Sequence, residues 1–223
     1  RQFHCHHHQL SAETEAGALL SDVVYHLDEP LGDLATLPTY LMARETKPHV
    51  SVVLSGEGAD ELLAGYPKYK AFLWSQKLAR LVPPVFSELA ARITGQIALQ
   101  RGLSSLSARH RPAAYLELAS VFSTKELGNL LTDSTLAASP APHELVSRYL
   151  GPKLDGLNQL LNLDFHTWLP DDLLLKNDKM TMAHGVEARV PYLDHRLVEL
   201  CATIPSRYKL RWNQEKILLR QVM

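Results

Sequence analysis

The chain has 223 residues, a formal net charge of −1, and 46% apolar against 21% charged residues. These totals suit one large globular domain or two small ones, and they give no electrostatic ground for a nucleic-acid or anionic-membrane partner. No apolar run approaches the ~20 residues of a membrane-spanning helix; Cys5 and Cys201 form no metal or redox spacing and read as ordinary thiols of a cytoplasmic protein, with a disulfide left open.

The chain begins at Arg1 and stops at Met223 inside the helical pattern "NQEKILLRQVM", so both ends read as lying within a longer protein. "FHCHHHQL" (3–10) has strand-like edges but weak β propensity. Its histidines invite a metal reading, since such tracts do bind metals. Helical spacing over 12–27 puts Ala16, Leu19, Leu20, Val23, Val24 and Leu27 on one apolar face. "DEPLGD" (28–33) ends that helix, and a second is predicted over 36–46, with Pro38 in its first turn.

"VSVVL" (50–54) is the clearest strand. It is short, β-branched and unalternating, and predicts burial on both faces in a parallel sheet. A Gly-containing turn and a helix from Ala59 to about Tyr66 follow. Strand, tight turn and helix start are where open α/β sheets bind ligands. Beyond residue 70 nearly everything is predicted helical: 70–82, 85–100, 112–120, 123–131, 143–150, 154–168, 170–183, 195–203 and 214–222. "TLAASPAPHE" (135–144) reads as a surface loop or hinge. No internal repeat is visible.

Two stretches carry chemistry. In "VVLSGEGADELLAGYPKY" (52–69), Glu57, Asp60 and Glu61 crowd three carboxylates into one turn. Such groups repel unless a cation lies among them. Mg²⁺ takes one or two protein carboxylates and completes its shell with water and phosphate oxygens. Ser55, Gly56 and Gly58 offer backbone N–H groups to an anion. The residues thus allow a Mg-phosphate site. They also allow a bland reading, in which acidic residues simply complement a helix N-terminus. The turn matches neither G-x-x-x-x-G-K-[ST] nor G-x-G-x-x-G.

In "LLLKNDKMTMAHGVEARVPYLDHRLVEL" (173–200), Asp172 precedes Lys176 by four residues, and Lys176 and Lys179 share a helix face. Each lysine is either a snorkelling stem over apolar surface or a point charge for a phosphate. Gly185 is placed to end this helix, and Asp194 to cap the next one, which carries Cys201. Arg189 has a ready partner in Glu187.

Together these two stretches closely resemble the synthetase domain of glutamine-dependent asparagine synthetases. "YHLDEPLGDLATLPTYLMAR" (25–44) resembles the segment before the acidic strand in bacterial members. The resemblance covers most of 1–69 and 160–223. It implies one partial synthetase domain over 1–223: a sheet part with the acidic turn (1–69), a variable helical region (70–150) and a helical part with the lysine motif (151–223). The implied fold is α/β, a parallel sheet with flanking helices of the adenine-nucleotide α-hydrolase, or PP-loop, type. The implied reaction uses ATP and Mg²⁺ to adenylate the side chain of aspartate, releasing pyrophosphate. Ammonia then converts β-aspartyl-AMP to asparagine and AMP.

The resemblance places Ser55 and Gly56 against ATP, and makes Glu57 the glutamate tied to the adenylate step and to deprotonating ammonia. Asp60 falls on the metal-binding aspartate, and Lys179 on the lysine that stabilises pyrophosphate. Asp33, Asp178 and Arg189 lie in matching motifs without an assigned role. An N-terminal glutaminase domain would supply ammonia from glutamine, and a homodimer is compatible with the family. The family's Ser-Gly-Gly-x-Asp-Ser loop is absent from this sequence, so the chain by itself is expected to be inactive. The "HCHHH" run falls where the family has a His-His strand, which disfavours metal binding there. Two other readings stand beside this one: a relative that adenylates another carboxylate (β-lactam-forming or peptide-cyclising), and an inactive truncated copy.

Overall fold

A computed structural model describes residues 7, 9, 16–79, 81–83, 86, 87, 90, 96–108, 110–138, 141–150, 154–212 and 214–223. Cys5, most of the histidine tract and its strand-like reading, and residues 12–15 of the first predicted helix lie outside them. The architecture is α/β and mostly helical, with a two-stranded parallel sheet of β1 (Val52–Leu54) and β2 (Glu187–Arg189) among the described residues. No described helix is long and apolar enough to cross a membrane. The chain divides into two compact units, Arg1–Gly58 with Thr167–Val198, and Ala59–His166 with Glu199–Met223.

In the first unit, helices Ala16–Leu27 and Thr36–Thr46 are joined by the "DEPLGD" segment. Asp33 sets the start of the second helix. Its Oδ1 accepts from Ala35 N–H at 2.8 Å, and its carbonyl accepts from the Thr36 hydroxyl at 2.7 Å. Val23 and Leu27, one turn apart, pack with Tyr40 and Met180 in a small core. Leu20 and Val24, expected on the same buried face, are exposed instead. That core takes only a narrow stripe of the helix, so a broad apolar face is not needed to hold it.

β1 pairs with β2 in register, Val52 with Glu187, Val53 with Ala188 and Leu54 with Arg189. The expected burial of β1 on both faces is not found: Val52 is 42% and Leu54 74% exposed. β-branching favours the extended backbone, whereas burial requires neighbours on each face, and among the described residues β1 has one paired strand. The stretch predicted as one helix over 170–183 is instead built of a π-helical segment, Leu169–Leu174, running into the α-helix Leu175–Met182. Pro170 has no N–H to donate, which gives a local reason for irregular bonding there. Gly185 closes the helix at φ +64°. Asp194 Oδ1 accepts from Arg196 N–H at 3.0 Å, the expected cap.

His184 packs its ring on Tyr40, with centroids 4.3 Å apart. Its Nε2 is buried and has no hydrogen-bond partner among the described residues. Burial, then the charges of Arg44 and His26, hold its pKa below the ordinary 6.5, with Glu45 pulling the other way. Folding therefore favours neutral His184. Its stability contribution is complete above pH 6.5 and is lost as pH falls through the window below that value. Urea midpoints are expected to drop as pH is lowered through this window, and to drop less in His184→Phe. Equal slopes in the two proteins would refute the assignment.

The second unit is helical: Ala59–Leu63, Pro67–Leu78, Ile97–Ser107, Arg111–Ala119, Thr124–Leu130, Asp133–Ala138, Pro142–Tyr149, Gly156–His166 and Ile217–Val222, with the larger part of His195–Thr203. Local signals fix several starts. Ser123 and Glu126 form a reciprocal capping box, and Asp155 Oδ1 accepts from the N–H groups of Leu157 and Asn158. Asp133–Ala138 replaces part of the predicted loop 135–144; the Leu-Ala-Ala run favours helix. Residues 85, 88, 89 and 91–95 of the predicted helix 85–100 lie outside the described residues, and regular helix is described over Ile97–Ser107. Tyr69, Phe72, Leu160 and Leu163 are central to the core of this unit. Cys201 is free and buried, and burial pushes its thiol up.

Candidate functional site

The boundary between the two units falls between Gly58 and Ala59. Ser55, Gly56, Glu57 and Lys179 therefore belong to the first unit, and Asp60 to the second.

The β1–β2 pairing joins the two sequence motifs within the first unit. β1 ends at Leu54 opposite Arg189, and the Ser55 N–H continues the ladder by donating to the Arg189 carbonyl at 2.8 Å. This corrects one expectation. The Ser55 amide is occupied by the sheet and is not free for an anion. The Ser55 hydroxyl lies 3.4 Å from the Glu57 amide. Gly56 is exposed, and among the described residues its N–H has no partner. Of the three amides expected to face an anion, that of Ser55 is thus taken up by the sheet. Glu57 is half-buried.

Gly58 needs to be glycine for two reasons. Its φ is +89°, and a Cβ there would lie 2.3 Å from Leu193 Cδ2 and 2.8 Å from Leu193 Cγ. Gly58→Ala is expected to lower stability by about 2–3 kcal/mol through backbone strain and the clash. Adding Leu193→Ala should relieve the clash and leave the strain. A Gly58→Ala urea midpoint equal to wild type would show that the turn relaxes without cost.

Lys179 is one-third exposed and forms an ion pair and hydrogen bond with Asp28. That contact keeps the ammonium pKa raised and the carboxyl pKa lowered. Asp28 adopts φ +62°, just past the end of helix Ala16–Leu27, a conformation that Asp tolerates better than most residues. Lys176 has a different environment. It is 4% exposed and donates to Asp33 Oδ2 at 2.5 Å. Burial raises the Asp33 pKa, but hydrogen bonds from Lys176 and the Ala35 amide outweigh it and leave the carboxyl below its ordinary value. Lys176 is therefore a buried ion-pair partner, not a snorkelling stem. Asp178 is exposed, and Arg189 pairs with Glu187 at 2.8 Å.

In the second unit Asp60 and Glu61 of the acidic turn have different environments. Glu61 is buried and accepts from the Tyr66 hydroxyl at 2.6 Å; burial raises its pKa. Asp60 remains part-exposed, with Oδ1 2.7 Å from Lys216 Nζ. The charge of Asp60 still pushes the Glu61 pKa up, while Lys216 pairs with Asp60. Asp60 offers the hard oxygen donor that Mg²⁺ accepts, and one protein carboxylate is a sufficient anchor when phosphates and water supply the rest. Among the described residues no group of three or more His, Cys, Asp or Glu side chains is placed to hold a metal together. Local sequence patterns did not single out Asp28 or Lys216. Each meets its partner through tertiary contact.

Comparison with known proteins agrees with these motifs. The family model described as asparagine synthase matches residues 1–223. Asparagine synthetase [glutamine-hydrolyzing] 1 of Bacillus subtilis is 34% identical over 212 residues, covering 91% of this chain and 32% of that protein. A putative asparagine synthetase [glutamine-hydrolyzing] of Mycobacterium bovis is 35% identical over 217 residues, covering 92% and 32%. The amidase chyE of Penicillium rubens is 26% identical over 241 residues, covering 96% and 35%. The chain thus spans about a third of the length of these relatives. No solved structure matches significantly. With the family model matching its whole length, this chain belongs to the asparagine synthase family.

Proposed function

We propose that this chain is part of the synthetase portion of a glutamine-dependent asparagine synthetase with a PP-loop type fold, acting in the cytoplasm. The observation that carries the reading is the parallel pairing of β1 with β2. It joins the "SGEG" turn to "EARVPYLDHR" at the carboxyl ends of two strands, where open α/β sheets bind ligands.

In the proposed reaction the side-chain carboxylate of aspartate attacks the α-phosphorus of ATP. A phosphorus–oxygen bond forms, pyrophosphate leaves, and β-aspartyl-AMP results. Ammonia, released from glutamine by a glutaminase domain of the full-length protein, attacks the acyl carbon. AMP departs and asparagine is formed. The Ser55 hydroxyl and the Gly56 amide would contact the nucleotide. Glu57 would take the proton that the attacking ammonia must lose, a general-base role. Asp60 would anchor Mg²⁺, which when bound offsets the charge of the phosphates. Lys179, kept charged by Asp28, would stabilise the departing pyrophosphate.

A second reading keeps the adenylating scaffold and changes the acid. What raises it is the 26% identity to a protein that is not named an asparagine synthetase. A panel of carboxylic acids separates the two. With full-length protein, ATP, Mg²⁺ and ammonium, pyrophosphate release is expected to require aspartate. Release that ignores aspartate and follows another acid would replace the first reading with the second.

A further inference from the structure

Among the described residues, three non-glycine residues have positive φ: Asp28, Ala64 and Lys216. Two of them hold a candidate site residue by an ion pair, Asp28 with Lys179 and Lys216 with Asp60. Unfavourable backbone that persists needs compensation from its surroundings, and it concentrates at functional positions.

Lys216 is the more unusual of the two. It stands at the N-cap of helix Ile217–Val222 with φ +49° and ψ +41°, and its side chain makes no capping bond. Lysine is a poor choice for both the backbone and the cap. What its side chain does is reach Asp60 Oδ1. The pair lies directly over Gly65, where a Cβ would come within 1.5 Å of Asp60 Oδ1 and 2.3 Å of Lys216 Cε. The segment is fixed a second time by Glu215, whose Oε1 is 2.7 Å from Lys70 Nζ. Among the described residues Asp60 Oδ2 has no hydrogen-bond partner.

We propose that Lys216 is a positioning residue for Asp60: it engages one carboxylate oxygen, fixes the side chain over Gly65, and leaves the other oxygen available to a divalent cation. The inference rests on the reading of Asp60 as the metal anchor. Groups that orient a metal ligand typically matter tenfold to a hundredfold for metal affinity. Simple electrostatics gives the opposite sign, because a cation beside the site repels a second cation. The direction of the change therefore separates positioning from mere charge neutralisation.

The test is ATP binding by the full-length protein, by equilibrium dialysis, with Mg²⁺ and with EDTA. The readout is the ratio of the two affinities, which reports the contribution of the metal without turnover. Lys216→Met should lower this ratio about tenfold, while Lys216→Arg should keep it near wild type. Lys216→Gly removes the ammonium and also suits φ +49°, so it guards against a trivial folding defect and should lower the ratio equally. An unchanged or higher ratio in Lys216→Met and Lys216→Gly overturns the proposal. So does an equal fall of both affinities, which would mean that Lys216 meets the phosphates directly. Asp60→Asn separates the two levels. If it removes the Mg²⁺ effect and the Lys216 variants do not, only the positioning role fails. If Asp60→Asn leaves the Mg²⁺ effect intact, the metal-anchor reading fails and this inference with it.

Discussion

Asp164→Ala is expected to destabilise the helical unit by about 3–5 kcal/mol, the usual cost of removing one partner from a buried ion pair. Asp164 is fully buried. Its carboxylate accepts from the Tyr69 hydroxyl at 2.6 Å and from the Tyr115 hydroxyl, and lies 2.9 Å from Lys68 Nζ. Lys68 is itself set among aromatic rings, 5.2 Å from the centroid of Tyr66 and 5.7 Å from those of Tyr69 and Tyr115. Burial, then the charge of Asp164, raises the pKa of both tyrosines, so they remain neutral donors. Without Asp164, two hydroxyls and an ammonium lose a common acceptor in a poorly solvated place. Asp164→Asn keeps the shape and one acceptor and should lose less. Asp164→Leu with Lys68→Met removes the charges as a pair and should recover part of the loss. A loss below about 1 kcal/mol for Asp164→Ala in urea unfolding would show that water or rearrangement replaces the carboxylate.

The second large effect concerns activity. In the full-length protein, Asp60→Asn should lower aspartate-dependent pyrophosphate release by about a hundredfold or more, roughly 2.7 kcal/mol of lost barrier reduction. The fold should be retained, because Asp60 is part-exposed and the core of its unit is built from other residues. Lys179→Ala should lower kcat more than it raises the KM for ATP, as removal of a transition-state contact does. A pure KM effect would make Lys179 a ground-state binder, and wild-type turnover in Asp60→Asn would remove Asp60 from the site.

The local features were legible because their causes are local. Helix Thr36–Thr46 has the predicted bounds, and Gly185 ends one helix and Asp194 caps the start of the next by conformational rules that operate over a few residues. The burial of β1 was not legible. A Val-Val-Leu run announces extended backbone, but what covers it is decided by distant parts of the chain. Lys176 shows the same limit. Its spacing from Asp172 allowed a helical pair, yet it meets Asp33, 143 positions away in sequence. In the candidate site, the motif residues stood out by resemblance and the acidic turn by its density of charge. Their ion-pair partners, Asp28 and Lys216, did not, because pairing across most of the chain leaves no periodic trace.

The decisive measurement is pyrophosphate release by the full-length protein with ATP, Mg²⁺ and ammonium, with and without aspartate, alongside detection of asparagine. Release is expected to require aspartate, with one asparagine formed for each pyrophosphate. Absence of release with aspartate, under conditions where the protein is folded and binds ATP, would contradict the asparagine synthetase reading.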